Sequence, residues 1–153
     1  TATATVNVAL GGASHTTSVD MSSTYLDWAR RNFALNGLDT AKHELVRADC
    51  TDWIENQKYR YDIVLLDPPT FSNSKRMDST FDVQRDHGEL IKKAMNCVKQ
   101  KGLLIFTTHR RRFELDTLIS SHFSVEDVAR EYIDEDFARS RQTHGVWHIK
   151  HSD

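Results

Sequence analysis

The sequence predicts an α/β fold with an open, mostly parallel sheet, because strand-like and helix-like segments alternate along the chain. Residues 63–66 and 103–107 are apolar at nearly every position, which is typical of strands that helices cover on both faces of a parallel sheet. The pattern changes near the end, where residues 124–132 and 146–150 alternate between apolar and polar and are joined by a polar loop. That alternation predicts an antiparallel hairpin at the edge of the sheet.

Short helices and strands alternate in the first half of the chain. Glycine ends the helices, at Gly11 and Gly37, because it readily adopts the left-handed conformation that follows many helices. The longest of these helices has a capping serine and apolar residues that recur at i, i+3 and i+7, which favours an amphipathic helix. In chain order the predicted elements are a helix at 6–10, a strand at 15–19, a helix from Ser22 or Ser23 with Leu26, Ala29 and Phe33 on its apolar side, a strand at 44–48 and a short helix at 51–56.

The second half continues the alternation with longer elements. A strand at 61–67 is followed by two prolines, which fix φ and lack an amide donor, so neither strand nor helix can continue. The polar stretch 70–80 is long for a connection inside a domain, which favours a binding loop. The remaining predicted elements are a helix at 83–99 that ends before Gly102 and buries Leu90, Ile91, Ala94, Met95 and Val98, a strand at 103–107, a helix near 114–121 and the terminal hairpin.

Length and composition indicate one domain with an ordinary core. The chain has 153 residues and a net charge of −2, from 20 basic and 22 acidic residues, which argues against a protein that coats nucleic acid but allows a local basic patch. Cys50 and Cys97 lie far apart, so neither a disulfide framework nor a zinc site is indicated, and we expect a reducing cytoplasm. No apolar run approaches the roughly 20 residues that a membrane-spanning helix needs, and we expect no membrane partner.

Three successive predicted strands end in an acidic residue: Asp20, Asp49 and Asp67. If the strands are parallel, the three carboxylates share the edge of the sheet at which ligands bind. One carboxylate there is suited to accept from the two hydroxyls of a ribose, and another from an adenine amino group. The alternative is that Asp20 and Asp49 only cap the helices that follow them, and both interpretations stay open.

Asp67, Pro68, Pro69 and Phe71 form a second candidate feature, which we call the ledge. The prolines stiffen the backbone after the strand and leave the preceding carbonyls available to a ligand, with an aromatic ring close by in sequence. The alternative is a simple stop between strand and loop, in which Asp67 caps a turn.

These motifs resemble class I S-adenosylmethionine-dependent methyltransferases, through Ser18-Val19-Asp20, Asp49 and Asp67-Pro68-Pro69-Thr70-Phe71. The fuller string DPPTFSNSKRM at 67–77, together with residues 136–139 and 142–144, resembles the carboxyl-terminal domain of the bacterial fused 23S ribosomal RNA guanine methyltransferases, which forms 7-methylguanosine.

The resemblance implies a Rossmann-like class I sheet, truncated before its first strand, and a single catalytic domain over 1–153. It also implies further upstream domains in the same polypeptide, S-adenosylmethionine as cofactor and 23S ribosomal RNA as substrate. We expect the 153 residues alone to be inactive or nearly so. The alternatives are methylation of another base nitrogen, or a nucleotide-binding domain without catalysis.

Residue by residue, the resemblance implies a cofactor-binding set and a catalytic set, and the basic clusters at the ligand edge of the sheet predict an RNA-binding set. The spacing of His144, His148 and His151 does not indicate a metal site. Ala2 stands where the family usually has glycine, and Thr107, Thr108 and His109 stand where related cytosine methyltransferases carry a nucleophilic cysteine, so covalent attack on a cytosine ring is not expected. The cofactor-binding set is Thr1, Asp20, Met21, Asp49, Cys50 and Asp67; the catalytic set is Asp67, Pro68, Pro69 and Phe71; and the RNA-binding set is Lys75, Arg76, Arg110, Arg111 and Arg112, for which a solvated basic turn is the alternative.

Overall fold

The computed structural model describes residues 1–72, 80–132 and 144–152. The chain divides into two compact units, Thr1–Asn56 and Gln57–Asp153. The described strands form two parallel pairs and three antiparallel pairs, and helices lie between them in sequence, which confirms the predicted α/β class. Among the described helices, none is both long and apolar enough to cross a membrane.

The first unit contains three helices and a parallel pair of strands. Strand β1 (Thr16–Asp20) runs alongside β2 (His43–Arg47), with Thr16 opposite His43 and Asp20 opposite Arg47. The predicted capped helix is confirmed, because Ser22 Oγ accepts a hydrogen bond from the amide of Tyr25 at 3.3 Å. The buried side of that helix is the predicted one, Leu26, Ala29 and Phe33. The elements are α1 (Thr3–Leu10), β1 (Thr16–Asp20), α2 (Ser23–Leu35), β2 (His43–Arg47) and α3 (Cys50–Asn56).

The second unit is built on a sheet of four described strands, which are, in spatial order, β3 (Tyr61–Leu66), β6 (Val98–Thr108), β8 (Gly145–His151) and β7 (Phe123–Asp127). Within this sheet only β3 and β6 are parallel. The predicted terminal hairpin is confirmed as the antiparallel pair β7 and β8, although its first arm turns into a 3₁₀-helix at Ala129–Tyr132. A two-stranded ribbon, β4 with β5, lies outside that sheet. The elements are β3 (Tyr61–Leu66), β4 (Phe71–Ser72), β5 (Phe81–Asp82), α4 (Val83–Met95), β6 (Val98–Thr108), α5 (Thr117–His122), β7 (Phe123–Asp127) and β8 (Gly145–His151).

The expectation that β3 is buried on both faces is wrong for two of its residues. Ile63 is 57% exposed and Leu65 is 49% exposed, whereas Leu66 is buried. Among the described strands, β3 is an edge strand of its sheet and pairs along one side only, with β6. An outer strand has fewer neighbours to cover its apolar side chains than a central one, so an apolar run alone does not establish burial.

The predicted helix over 83–99 is too long. The helix ends at Met95, and β6 begins at Val98. The chain changes to a strand here because it pairs with β3: the amide of Tyr61 donates to Cys97 O at 2.7 Å. Gly102 therefore lies inside a strand and does not end a helix. The register between β3 and β6 shifts close to it, and a Cβ on Gly102 would lie 2.8 Å from Asp62 O and 3.0 Å from Tyr61 O.

We expect Gly102→Ala to lower the free energy of unfolding by about 2 kcal/mol, because the added methyl overlaps two backbone oxygens that cannot move independently. Urea unfolding followed by circular dichroism measures this change. Gly37→Asn is the matched control, since nothing lies within 4 Å of a Cβ there and asparagine tolerates its φ of 65°. Equal stability of Gly102→Ala and the unmodified chain would contradict the close approach.

Candidate active site

Asp20 and Asp49 lie at the carboxyl ends of β1 and β2, which are parallel, so both carboxylates are at the same edge of this strand pair. Asp20 closes the turn before α2, with Oδ1 accepting from the amide of Ser22 at 2.7 Å. Asp49 Oδ1 accepts from the amides of Thr51 at 2.8 Å and Asp52 at 3.4 Å, which caps α3. Asp49 thus caps α3, whereas α2 is capped by Ser22. Cofactor contacts from either acid remain a prediction.

Cys50 lies close to Asp20 and Asp49, and the negative charges of both acids affect the pKa of its thiol. Its Sγ donates to Val19 O at 3.5 Å. Partial burial of the thiol, and then the negative charges of Asp20 and Asp49, raise the pKa of Cys50 to about 11. Since the thiolate is the nucleophilic form, Cys50 is a poor nucleophile at neutral pH. The three predicted cofactor-binding residues Asp20, Asp49 and Cys50 are therefore close together.

We expect Asp20→Asn to lower the pKa of Cys50, because a neutral neighbour no longer opposes the thiolate. The pKa should still stay above its ordinary value, since burial is the larger cause. The pH profile of iodoacetamide alkylation, in a Cys97→Ser background, measures the shift. Asp27→Asn is the control, because Asp27 is exposed on α2 and pairs with Arg30. An unchanged profile in both Asp20→Asn and Asp49→Asn would contradict the electrostatic contribution.

Thr1 and Met21, the other predicted cofactor-binding residues of the first unit, are held through their backbone carbonyls. Thr1 O accepts from Asn32 Nδ2 at 2.9 Å, and Met21 O accepts from Arg47 Nε at 3.4 Å. Between Thr1 and α1, Ala2 has φ 55° and ψ 33°, a left-handed conformation that favours glycine. Alanine therefore occupies a strained position where the sequence analysis expected glycine in the family.

The ledge belongs to the second unit and begins where β3 ends. Parallel pairing sets Leu66 opposite Phe106, so the next residues along, Asp67 and Thr107, meet: Thr107 Oγ1 donates to Asp67 Oδ1 at 2.6 Å. Phe71 opens β4 and is 54% exposed, which leaves its ring accessible for stacking.

Thr107 contacts the candidate site through Asp67, and the sequence did not predict this contact. In the sequence, position 107 is notable only because it lacks a cysteine. The sequence shows that Thr107 lies near the end of a strand. That position indicates a contact with Asp67 only once the pairing of β3 with β6 is known.

The predicted basic residues differ in their surroundings. Arg110 is half-buried, and its Nη1 donates to Asp82 Oδ1 at 2.9 Å and Oδ2 at 3.0 Å. Arg111 and Arg112 are exposed, and Arg112 has φ 55°. Lys75 and Arg76 lie outside the described residues. The structure therefore leaves Arg111 and Arg112 as the exposed cations of the triplet.

Asp82 has its carboxylate stabilised in the ionised form. Desolvation alone would raise its pKa, but the hydrogen bonds from Arg110 and from the amides of Arg85 and Gln84 outweigh that effect, and the pKa lies below its ordinary value. Its contribution to stability is therefore present above the ordinary aspartate pKa and is lost as the pH falls through the lowered one.

Within residues 1–72, 80–132 and 144–152, no group of three or more His, Cys, Asp or Glu side chains is arranged to hold a metal ion.

The sequence profile of the S-adenosylmethionine-dependent methyltransferase family matches residues 1–143. The chain belongs to this family. The resemblance found in the sequence is thereby confirmed, and S-adenosylmethionine is the cofactor of the family. The edge of the β1–β2 pair that carries Asp20 and Asp49 fits that cofactor, since a carboxylate such as that of Asp20 is suited to accept hydrogen bonds from ribose hydroxyls.

Curated relatives of this methyltransferase include two proteins named ribosomal RNA large subunit methyltransferase K/L. The one from Cellvibrio japonicus is 52% identical over 151 residues, which is 99% of this chain and 20% of the relative. The one from Pseudomonas aeruginosa is 50% identical over 149 residues, 97% of this chain and 20% of the relative. The chain thus spans about a fifth of the length of these relatives.

Solved structures agree with the family assignment. A methyltransferase complexed with SAH aligns with a TM-score of 0.74 and 25% identity, over 95% of this chain and 41% of that one. The SAM-dependent methyltransferase from Agrobacterium tumefaciens aligns with a TM-score of 0.72 over 99% of this chain and 53% of its own. At 20% identity, the second likeness shows the fold alone.

Proposed function

We propose that this chain methylates ring nitrogen 7 of a guanine in 23S ribosomal RNA, as a single catalytic domain of a longer cytoplasmic polypeptide. The names of the relatives at 52% and 50% identity support ribosomal RNA as the substrate, and the fifth of their length that it spans supports further domains in the same polypeptide. The observation that carries the proposal is the Asp67 carboxylate, oriented by Thr107, in the same loop as the exposed ring of Phe71.

The first unit is proposed to hold the cofactor. Asp20 accepts from the ribose hydroxyls, Asp49 and Cys50 border the adenine, and the backbone near Thr1 and Met21 borders the remainder. When bound, S-adenosylmethionine supplies an activated methyl group on a sulfonium. Cys50 stays a neutral thiol in this role, because its raised pKa keeps it protonated at physiological pH.

The ledge is proposed to hold the guanine. Methylation at nitrogen 7 uses a lone pair that is already present, so the residues need to align the base more than to remove a proton. Asp67 has one oxygen bound by Thr107, and in this role the carboxylate accepts from the ring and amino hydrogens of guanine. Phe71 stacks on the base once it has left its helix, and Pro68 and Pro69 keep the loop rigid.

A second candidate acceptor is an exocyclic amine of a base. The exposed carboxylate of Asp67 favours it, because such a nitrogen loses a proton when it is methylated and a carboxylate can accept that proton. Mass spectrometry of nucleosides from the modified RNA separates the two, since 7-methylguanosine and an N-methylated amine are different products.

We expect Asp67→Ala to lower kcat for methylation by about a hundredfold in the complete polypeptide, because the base loses its main orienting contact. Isothermal titration of S-adenosylmethionine measures separately how much Asp67, which also belongs to the predicted cofactor-binding set, contributes to cofactor affinity. Asp62→Ala is the matched control, since Asp62 is an exposed aspartate of the same strand that pairs with Lys99. Normal methylation by Asp67→Ala, with 7-methylguanosine as product, would overturn the role given to the ledge.

We expect the double change Arg111→Ala with Arg112→Ala to weaken RNA binding mainly at low salt. Each lost phosphate contact lowers the slope of log affinity against log salt by roughly 0.7–0.9, depending on whether the RNA is paired. Binding of an unmodified 23S ribosomal RNA transcript between low and high KCl gives the slope. Lys101→Ala serves as control, because Lys101 is exposed near the opposite end of β6. An unchanged slope would show that these arginines do not contact phosphate.

A further inference from the structure

Three side chains near the start of α4 bind one short segment, residues 110–116. Asp82 pairs with Arg110 through both carboxylate oxygens. Gln84 Nε2 donates to Glu114 O at 2.8 Å, and Gln84 Oε1 accepts from the amide of Glu114 at 3.1 Å. His87 Nε2 accepts from the amide of Asp116 at 2.9 Å. The segment that carries Arg111 and Arg112 is therefore held at three points along its length.

The hydrogen bond between His87 and the amide of Asp116 requires one tautomer of the imidazole ring. Its Nδ1 faces two carbonyl oxygens, of Val83 at 2.9 Å and Gln84 at 3.1 Å, so Nδ1 carries the hydrogen and Nε2 is the acceptor. The ring is buried, 4.7 Å between centroids from Phe113. Next to it, a Cβ on Gly88 would lie 2.9 Å from Asp116 Oδ2, so helix and segment approach closely.

The same end of α4 is also tied to the ledge. Asp82 pairs with Phe71 in the ribbon of β4 and β5, and the amide of Val83 donates to Thr70 O at 3.2 Å. Asp82 therefore contacts the loop of Phe71 through its backbone and the basic segment through its side chain. The start of α4 connects the proposed base-stacking ring with the proposed phosphate-binding arginines.

We propose that Asp82, Gln84 and His87 form a positioning element that fixes Arg111 and Arg112 relative to Phe71, so that the phosphates of the RNA are bound in register with the base on the ledge. This inference rests on the proposed function and specifies how its RNA contacts are set. Arg110 is a positioning residue here, because its guanidinium is bound to Asp82 and does not need to reach a phosphate. The ligand recognised is the phosphodiester backbone next to the target base.

Gln84 offers the sharpest test, because it is neutral. Gln84→Ala removes both hydrogen bonds to Glu114 without changing the charge of the protein, and alanine is the better helix former. A lower salt slope in this variant must therefore arise from misplaced arginines and not from lost charge. A residue with a purely structural role would leave the number of phosphate contacts unchanged in the folded protein.

In the complete polypeptide, we expect Gln84→Ala to raise KM for an unmodified 23S ribosomal RNA transcript about three- to tenfold, and to lower the salt slope of its binding by about 1, with kcat at saturating RNA and the affinity for S-adenosylmethionine unchanged. Gln100→Ala is the matched control, the same truncation at an exposed position of β6. A folded Gln84→Ala protein with unaltered KM and slope would overturn the proposal.

Asp82→Asn is the second variant, and it decides the question if Gln84→Ala does not fold. Asparagine still caps α4, but it no longer binds Arg110 as an ion pair. If charge alone mattered, Asp82→Asn would strengthen RNA binding, because it removes a negative charge and releases Arg110. If Asp82 positions the arginines, the same change weakens RNA binding. Weaker binding supports the proposal, and tighter binding overturns it.

The double variant Arg111→Ala with Arg112→Ala separates this proposal from the proposed function on which it rests. If the double variant leaves the salt slope unchanged, the RNA contact itself is wrong. If the double variant lowers the slope but Gln84→Ala does not, only the positioning role is refuted.

Discussion

The parallel pairing of β3 with β6 determines where the polar groups of the second unit lie. Leu66 opposite Phe106 sets Asp67 beside Thr107, and the hydroxyl at 2.6 Å then orients the carboxylate. The prolines that follow prevent β3 from continuing, so the chain leaves the sheet directly after this contact. β6 in turn delivers the basic segment a few residues beyond Thr107. A single strand pair thus places both the ledge and the start of the proposed RNA contact.

Asp82 shows how one carboxylate can serve several elements at once. It accepts from two amides at the start of α4 and from the guanidinium of Arg110, while its backbone pairs in the ribbon with Phe71. These bonds offset the cost of removing the carboxylate from water, which explains why its pKa falls. A neutral cap at this position would satisfy the helix but would hold Arg110 less firmly.

Local pattern was sufficient for some features and insufficient for others. Serine capping and the spacing of Leu26, Ala29 and Phe33 predicted α2, because a helix depends mainly on neighbours in sequence. The end of α4 was missed because apolar residues continue through Val98, and only the pairing of Tyr61 with that point shows that β6 has begun. Likewise, nothing in the triplet at 110–112 shows that its first arginine faces Asp82, and a glutamine at 84 has no sequence signature for binding the backbone of Glu114. Contacts between distant segments were inaccessible for this reason.

The hydrogen bond between Thr107 and Asp67 also limits which chemistries this ledge can acquire by mutation. Cys50 shows within the same chain that carboxylates beside a thiol help to keep it protonated. A cysteine replacing Thr107 would lie next to the Asp67 carboxylate, whose negative charge would raise the pKa of the thiol and make it a weaker nucleophile at neutral pH. In the proposed role the ledge aligns a lone pair of the base, and the carboxylate that serves this alignment opposes the thiolate that covalent attack on a ring carbon needs.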